Sequence, residues 1–239
     1  MIKKKKYVKS KSKKILLVSG CSYTTNNYIS SIHPKMDCSW PKWPELLANK
    51  LNMECINLGA SGSGQEYIYS SILDKLITLN IEDVGLVIAG WSRASRRDYS
   101  NYDRWNNKIW DEKGDNKYFV NRMLRYQYSF QQICKSLNIR YKQAQIIDSY
   151  ETACWAGSKE VWPEAVGKVL TRKNHYREIH NSPYYKLIDK NFLGFPGKEL
   201  GGFCMQNFMK HPDHFISDKD WHPNAEGHKI IAEKFYENL

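Results

Sequence analysis

The chain lacks any stretch approaching the roughly 18–20 consecutive apolar residues that a membrane-spanning helix needs, which excludes a helical integral membrane protein. No fixed period and no compositional bias runs through its 239 residues, so collagen-like, solenoid and heavily disordered classes fall away as well. The six cysteines (Cys21, Cys38, Cys55, Cys134, Cys154 and Cys204) form no CxxC pair. A chain of this length buries enough apolar surface to need no disulfide staples, so reduced thiols in a cytosolic-type environment are expected. Also missing are a GxGxxG turn, a GK[ST] phosphate loop and a helical HExxH. His211, Asp213, His214, His222 and His228 crowd into 18 residues, but their spacing matches no zinc motif. Neither a metal nor a cofactor is expected.

Acidic residues are absent from the first fourteen positions, which hold eight lysines: Lys3 to Lys6, Lys9, Lys11, Lys13 and Lys14. The formal net charge is +11, and subtracting those eight leaves +3 for the remaining 225 residues. The basicity therefore belongs to residues 1–14, read as a flexible lysine-rich leader, and the body from 15 to 239 is read as a single domain. Such a leader supports weak contacts with anionic surfaces or phosphate backbones, without sequence preference. The apolar run Ile15 to Val18 has only four residues, against the roughly 7–15 of an export signal. A cytoplasmic location is the expectation, and Ile15 to Val18 reads as a buried first strand.

Further elements follow from periodicity. Trp43 to Leu51 places Leu46, Leu47 and Leu51 on one side of a helix, with a proline in its first turn. Cys55 to Leu58 forms a short strand that runs into GASGSG (Gly59 to Gly64). Ile68, Ile72, Leu76 and Leu79 mark the next helix. Val84 to Ala89 is a continuous apolar run, the pattern of a strand covered on both faces. Met123, Tyr126, Phe130, Ile133 and Leu137 mark a helix, and Ile139 to Ile147 a strand. A last helix from about Asn224 turns His228, Ile231, Ala232, Phe235 and Leu239 inward. Segments 98–117 and 151–214 show no clear period and read as insertions. Alternating strands and helices of this kind predict a mostly parallel α/β sheet, with functional loops at the carboxyl ends of its strands.

Those loops are GCSYTT, GASGSG and GWSRAS. In the first, Ser22 follows Gly20 and Cys21, at a turn where a backbone N–H is free to donate. A serine hydroxyl needs a base to take its proton and donors to hold the resulting oxyanion. The base candidate is His222, in SDKDWHPNAEGH. The proline after it holds the backbone extended, and Asp220 and Asp218 both lie close enough in sequence to orient the imidazole. GASGSG supplies backbone N–H groups beside a strand end, which suits an oxyanion hole or, equally, close packing of loop on sheet.

Taken together, ILLVSGCSYT, NLGASGSG and DWHPNAEGH resemble the blocks of the SGNH (GDSL-type) hydrolases. The resemblance covers about 40 residues in the right order. It implies a flavodoxin-like three-layer α/β/α sandwich and a serine esterase working through an acyl-enzyme. It places Ser22 as nucleophile, Gly62 as the oxyanion glycine and His222 as base, with the Ser22 N–H as a second oxyanion donor. Cys21 stands where the family has an acid. In the third block AGWSR replaces the usual GxND, so Ser92 falls at the third oxyanion donor. The commonest family spacing puts the acid three residues before the histidine, which here is Lys219; Asp220 is the choice and Asp218 the reserve.

Trp105, Trp110, Trp155 and Trp162 lie in the unmatched segments. Trp105 and Trp110 are the substrate-binding candidates, since exposed tryptophans stack on sugar rings, although they equally suit the core of an insertion. The expected substrate is a small ester or an acylated glycan, with deacetylation of O-acetylated carbohydrate as the specific expectation. Transfer of the acyl group to a sugar shares the same intermediate. The alternative is an impaired SGNH-fold protein acting as a glycan-binding or structural assembly component.

Overall fold

A computed structural model of the chain describes residues 13–101, 104–108, 114–150 and 172–239. The first twelve residues of the lysine-rich leader, Trp110, Cys154, Trp155 and Trp162 lie outside them. The central sheet has five parallel strands in the order β2-β1-β3-β6-β7: β1 (Ile15–Gly20), β2 (Glu54–Asn57), β3 (Val84–Trp91), β6 (Tyr141–Gln145) and β7 (Phe192–Leu193). After β2 the chain crosses to the other side of β1, so the topological switch lies between β1 and β3. In a doubly wound sheet, binding crevices open at that point.

Side chains of a strand alternate between faces, and the sheet is apolar on both. Leu16, Val18, Leu86 and Ile88 pack towards helices α1 (Trp43–Lys50) and α5 (Ala225–Tyr236), against Trp43, Leu47, Ile231 and Phe235. Leu17, Val87, Ala89 and Trp91 pack the other way. They meet Ile68, Ile72 and Leu76 of α2 (Gln65–Leu76), and Phe130 and Cys134 of α3 (Asn116–Ser136). The result is the three-layer α/β/α sandwich that the sequence predicts. Trp43 stacks on Phe235, with ring centroids 4.6 Å apart, which clamps α1 to α5. Among the described residues no helix is long and apolar enough to cross a membrane, and the five described cysteines are all free.

Two segments differ from their reading as irregular insertions. Residues 97–108 contain an antiparallel hairpin of β4 (Arg97–Asn101) and β5 (Arg104–Lys108). Its polar residues carry no apolar alternation, because the hairpin is held largely by its ladder and by Asp98. That carboxylate accepts from the backbone N–H groups of Gly64 (2.8 Å) and Tyr67 (2.9 Å), capping α2, whose own N-cap is a glycine without a side chain. Burial raises the pKa of Asp98 against those bonds. In the second segment, α4 (Arg172–Asn181) buries Tyr176 and Ile179 against Phe119, Val120 and Met123 of α3. Beyond it, β7 closes the sheet edge with only two residues, too few to show a period.

Candidate active site

The nucleophile turn follows directly from β1. The N–H groups of Thr24 (2.8 Å) and Thr25 (3.1 Å) both bond to the Cys21 carbonyl, which bends the chain sharply and leaves Ser22 at the tip. A Cβ on Gly20 would come within 2.2 Å of the Thr24 hydroxyl oxygen, so this turn requires glycine there. Asn57, at the end of β2, ties the second loop to the first. Its amide donates to the Thr24 carbonyl at 2.7 Å, and its side-chain oxygen accepts from Gly59 N–H at 2.9 Å. Within that loop Gly62 adopts φ +78°, a left-handed conformation that side-chain-bearing residues rarely take. Among the described residues neither the Ser22 nor the Gly62 backbone N–H has an acceptor.

His222 and Asp220 come from the loop before α5. That loop is drawn tight by Ile216 N–H to His222 carbonyl (2.9 Å) and Asn224 N–H to His214 carbonyl (3.2 Å). The Asn224 side chain caps α5 by accepting from Gly227 N–H (3.0 Å), while its amide donates to the Asp213 and Phe215 carbonyls. On extended backbone, residues two apart point the same way. Asp220 and His222 therefore face inward together, and Trp221 between them stays 55% exposed.

The three predicted residues meet. His222 Nε2 lies 2.9 Å from Ser22 Oγ, and His222 Nδ1 lies 2.6 Å from Asp220 Oδ1. Of the two acids left open by the sequence, Asp220 takes the position. Asp218 is exposed and faces His211 at 3.5 Å. Burial works against the Asp220 charge, but hydrogen bonds from His222 and Ser30 outweigh it and hold the carboxyl well below the usual carboxylate range. Burial, then Asp220 nearby, pushes the Tyr28 phenol up; burial does the same for Tyr23.

Ser92 does not stand as a third oxyanion donor. It is fully buried, and its hydroxyl donates to the Ser63 carbonyl at 2.7 Å, which also accepts from Arg96 at 3.2 Å. A hydroxyl has one proton, and this one braces the GASGSG loop. Trp105 is half-buried and packs edge-on against Tyr67 of α2, with ring centroids 5.4 Å apart. The histidine-rich stretch also disperses. His228 accepts from Trp43 N–H (3.3 Å), His214 accepts from Lys210 N–H (2.8 Å), and His222 serves Ser22. Burial lowers the pKa of His228 to about 3, so that histidine is neutral. Among the described residues no group of three or more His, Cys, Asp or Glu could hold a metal ion.

Sequence reasoning used Asn57 only as the first residue of NLGASGSG and did not single out Tyr28, Ser30 or Trp221. Of those three only Trp221 carried a signal, as an aromatic residue placed between the proposed acid and base.

No protein-family model matches the chain, and no curated protein does either. Solved structures do. TesA aligns with a TM-score of 0.52 at 11% identity, over 95% of this chain and 98% of its own. An acetyl-xylooligosaccharide esterase, Axe2 from Geobacillus stearothermophilus, aligns with a TM-score of 0.50 at 11% identity, over 95% and 94%. A protein described as lipolytic and of the G-D-S-L family, from Desulfitobacterium hafniense, aligns at 0.49 and 15% identity, over 94% and 99%. The chain thus shares the α/β/α fold of these structures. The likeness read from the three sequence blocks is thus a likeness of fold.

Proposed function

We propose that this protein is a carboxylic-ester hydrolase that works through an acyl-enzyme on Ser22. The observation that carries the reading is the continuous chain Ser22 Oγ, His222, Asp220, at 2.9 and 2.6 Å, ending in a carboxylate held ionised. His222 Nε2 takes the Ser22 proton as Oγ attacks the ester carbonyl. Asp220 accepts from Nδ1–H, which fixes the tautomer that leaves Nε2 free and steadies the imidazolium that forms. The backbone N–H groups of Ser22 and Gly62 hold the oxyanion, so the hole has two backbone donors and no contribution from Ser92. His222 then gives its proton to the departing alcohol. In the second half-reaction it activates the water that releases the acid and regenerates Ser22.

An acylated sugar is the substrate class we favour. Trp221 is exposed beside the base, and its indole is held by a hydrogen bond to the Asp218 carbonyl (3.0 Å) and by contact with the His211 ring (4.9 Å). A fixed, half-exposed indole is a stacking surface for a sugar ring. Axe2, of like fold, is an acetyl-xylooligosaccharide esterase, and deacetylation of O-acetylated carbohydrate is consistent with that. The test is hydrolysis of p-nitrophenyl acetate by wild type and Ser22→Ala, beside labelling with a fluorophosphonate. Both signals are expected in wild type and neither in the variant. Equal background in the two proteins overturns the reading and leaves a glycan-binding or structural role.

A further inference from the structure

The loop between β1 and α1 (residues 21–42) does more than carry Ser22. It lies across the 215–223 loop and is latched to it by side chains. The Tyr23 hydroxyl donates to the Trp221 carbonyl, and His33 Nε2 sits 2.8 Å from Ser217 Oγ. Two further contacts fall on the acid. The Ser30 hydroxyl donates to Asp220 Oδ2, and the Tyr28 hydroxyl reaches Oδ2 at 3.1 Å and Oδ1 at 3.3 Å. The Tyr28 ring lies on the His222 imidazole, with centroids 4.2 Å apart and planes 30° apart. Its oxygen is 2.7 Å from Nδ1.

Asp220 needs such partners for a geometric reason. Both bonds it receives from His222 fall on one oxygen: Nδ1 at 2.6 Å and the backbone N–H at 3.1 Å, each to Oδ1. Rotation about the carboxylate torsion is soft and roughly two-fold, so a carboxylate held through one oxygen is poorly aimed. Ser30 and Tyr28 engage the second oxygen and remove that freedom. The Ser30 hydroxyl is itself oriented, because it accepts from His33 N–H at 2.8 Å. Ser30 is fully buried, so water does not replace it. When His222 becomes an imidazolium, the face and oxygen of Tyr28 lie against the positive ring, a favourable placement for a cation.

Building on the hydrolase reading, we propose that Tyr28 and Ser30 are positioning residues that aim Asp220 and hold the His222 ring. Among the described residues, the groups facing that ring include Ser22, Tyr23 and Tyr28 from the first loop and Asp220 from its own. The buried His228 of α5 lies within electrostatic reach.

The test combines kinetics with proton NMR of the His222 Nδ1–H in full-length wild type, Ser30→Ala, Ser30→Thr and Tyr28→Phe. Loss of one outer hydroxyl is expected to lower kcat about tenfold with KM within about twofold, and Ser30→Thr is expected to restore kcat. The proton between His222 Nδ1 and Asp220 gives a downfield NMR signal whose position reads that hydrogen bond. Poorer aim of the carboxylate in Ser30→Ala is expected to move that signal upfield and broaden it, and Ser30→Thr is expected to return it. Folded Ser30→Ala and Tyr28→Phe proteins with unchanged kcat and an unmoved signal overturn the proposal. So does a kcat lost equally in Ser30→Thr. The signal needs no ester, so it separates this proposal from the hydrolase reading. An inert wild type whose signal still moves in Ser30→Ala retains the clamp and refutes only the hydrolase.

Discussion

Replacing Asp220 by asparagine removes the charge behind His222 while keeping the size of the side chain. The structure says which way the new amide turns. At Oδ1 it meets the His222 backbone N–H (3.1 Å) and Nδ1 (2.6 Å), and a backbone N–H can only donate. At Oδ2 it meets the hydroxyls of Ser30 and Tyr28, which can rotate to accept from an NH2 group. The amide oxygen is therefore directed to Nδ1, the productive tautomer survives, and the loss is that of the ion pair with the imidazolium. Taking about 4 Å between charge centres and an effective dielectric of about 20, that pair is worth about 4 kcal/mol, or roughly 10³-fold in kcat/KM. The assay is steady-state hydrolysis of p-nitrophenyl acetate by wild type, Asp220→Asn and Asp218→Asn. The Asp218 variant, at a 79% exposed side chain, should stay within about twofold of wild type. A loss below tenfold for Asp220→Asn, or comparable losses for both, would refute the assignment of the acid.

Ser92→Ala should lower kcat by less than about tenfold, with its cost appearing as a lower melting temperature; a loss of 100-fold or more would restore Ser92 to the oxyanion hole. Trp221→Ala should raise KM for acetylated xylo-oligosaccharides severalfold and leave p-nitrophenyl acetate unaffected, as measured by paired kinetics on the two substrates. Because the Asp220 carboxyl is depressed in the folded protein, it adds stability above its unfolded value of about 4 and loses that contribution as pH falls below it. Denaturant melts should accordingly show a weaker acid-side decline in Asp220→Asn than in wild type. Phe235→Ala, which removes the ring stacked on Trp43, should cost about 3–5 kcal/mol while kcat measured well below the melting temperature changes little.

Much of the fold was legible because burial leaves a period. Val84 to Ala89 is apolar at every position since β3 has helices on both faces, and Leu16 and Leu17 serve opposite layers one residue apart. The hairpin at 97–108 and α4 left no such mark. Arg97–Asn101 is polar and gains its place through a ladder and one buried aspartate, while α4 buries few apolar side chains in a ten-residue helix. The triad was legible for another reason: a serine beside glycine, and a histidine between an acid two residues back and a proline, are local patterns. Ser92 misled because position names a residue's neighbourhood and leaves its hydrogen bond unspecified.

Tyr28 and Ser30 lie in a loop with no period, and their partner Asp220 is 192 and 190 residues away, so no local pattern could have shown them. Their role emerges from the order of the sheet. β1 lies between β2 and β3, which opens a crevice at its carboxyl end, and the loop leaving that end has to cross the one entering α5. Closing so long a separation costs little more entropy than closing a moderate one, because loop entropy grows only with the logarithm of length. What remains costly is aiming two loops at each other to within a few tenths of an ångström, and neither loop belongs to the sheet. The hydroxyls of Tyr23, Tyr28 and Ser30 and the ring of His33 bridge the two directly. On this argument the precision of the Ser22–His222 contact resides in the latch between the loops as much as in the scaffold that carries them.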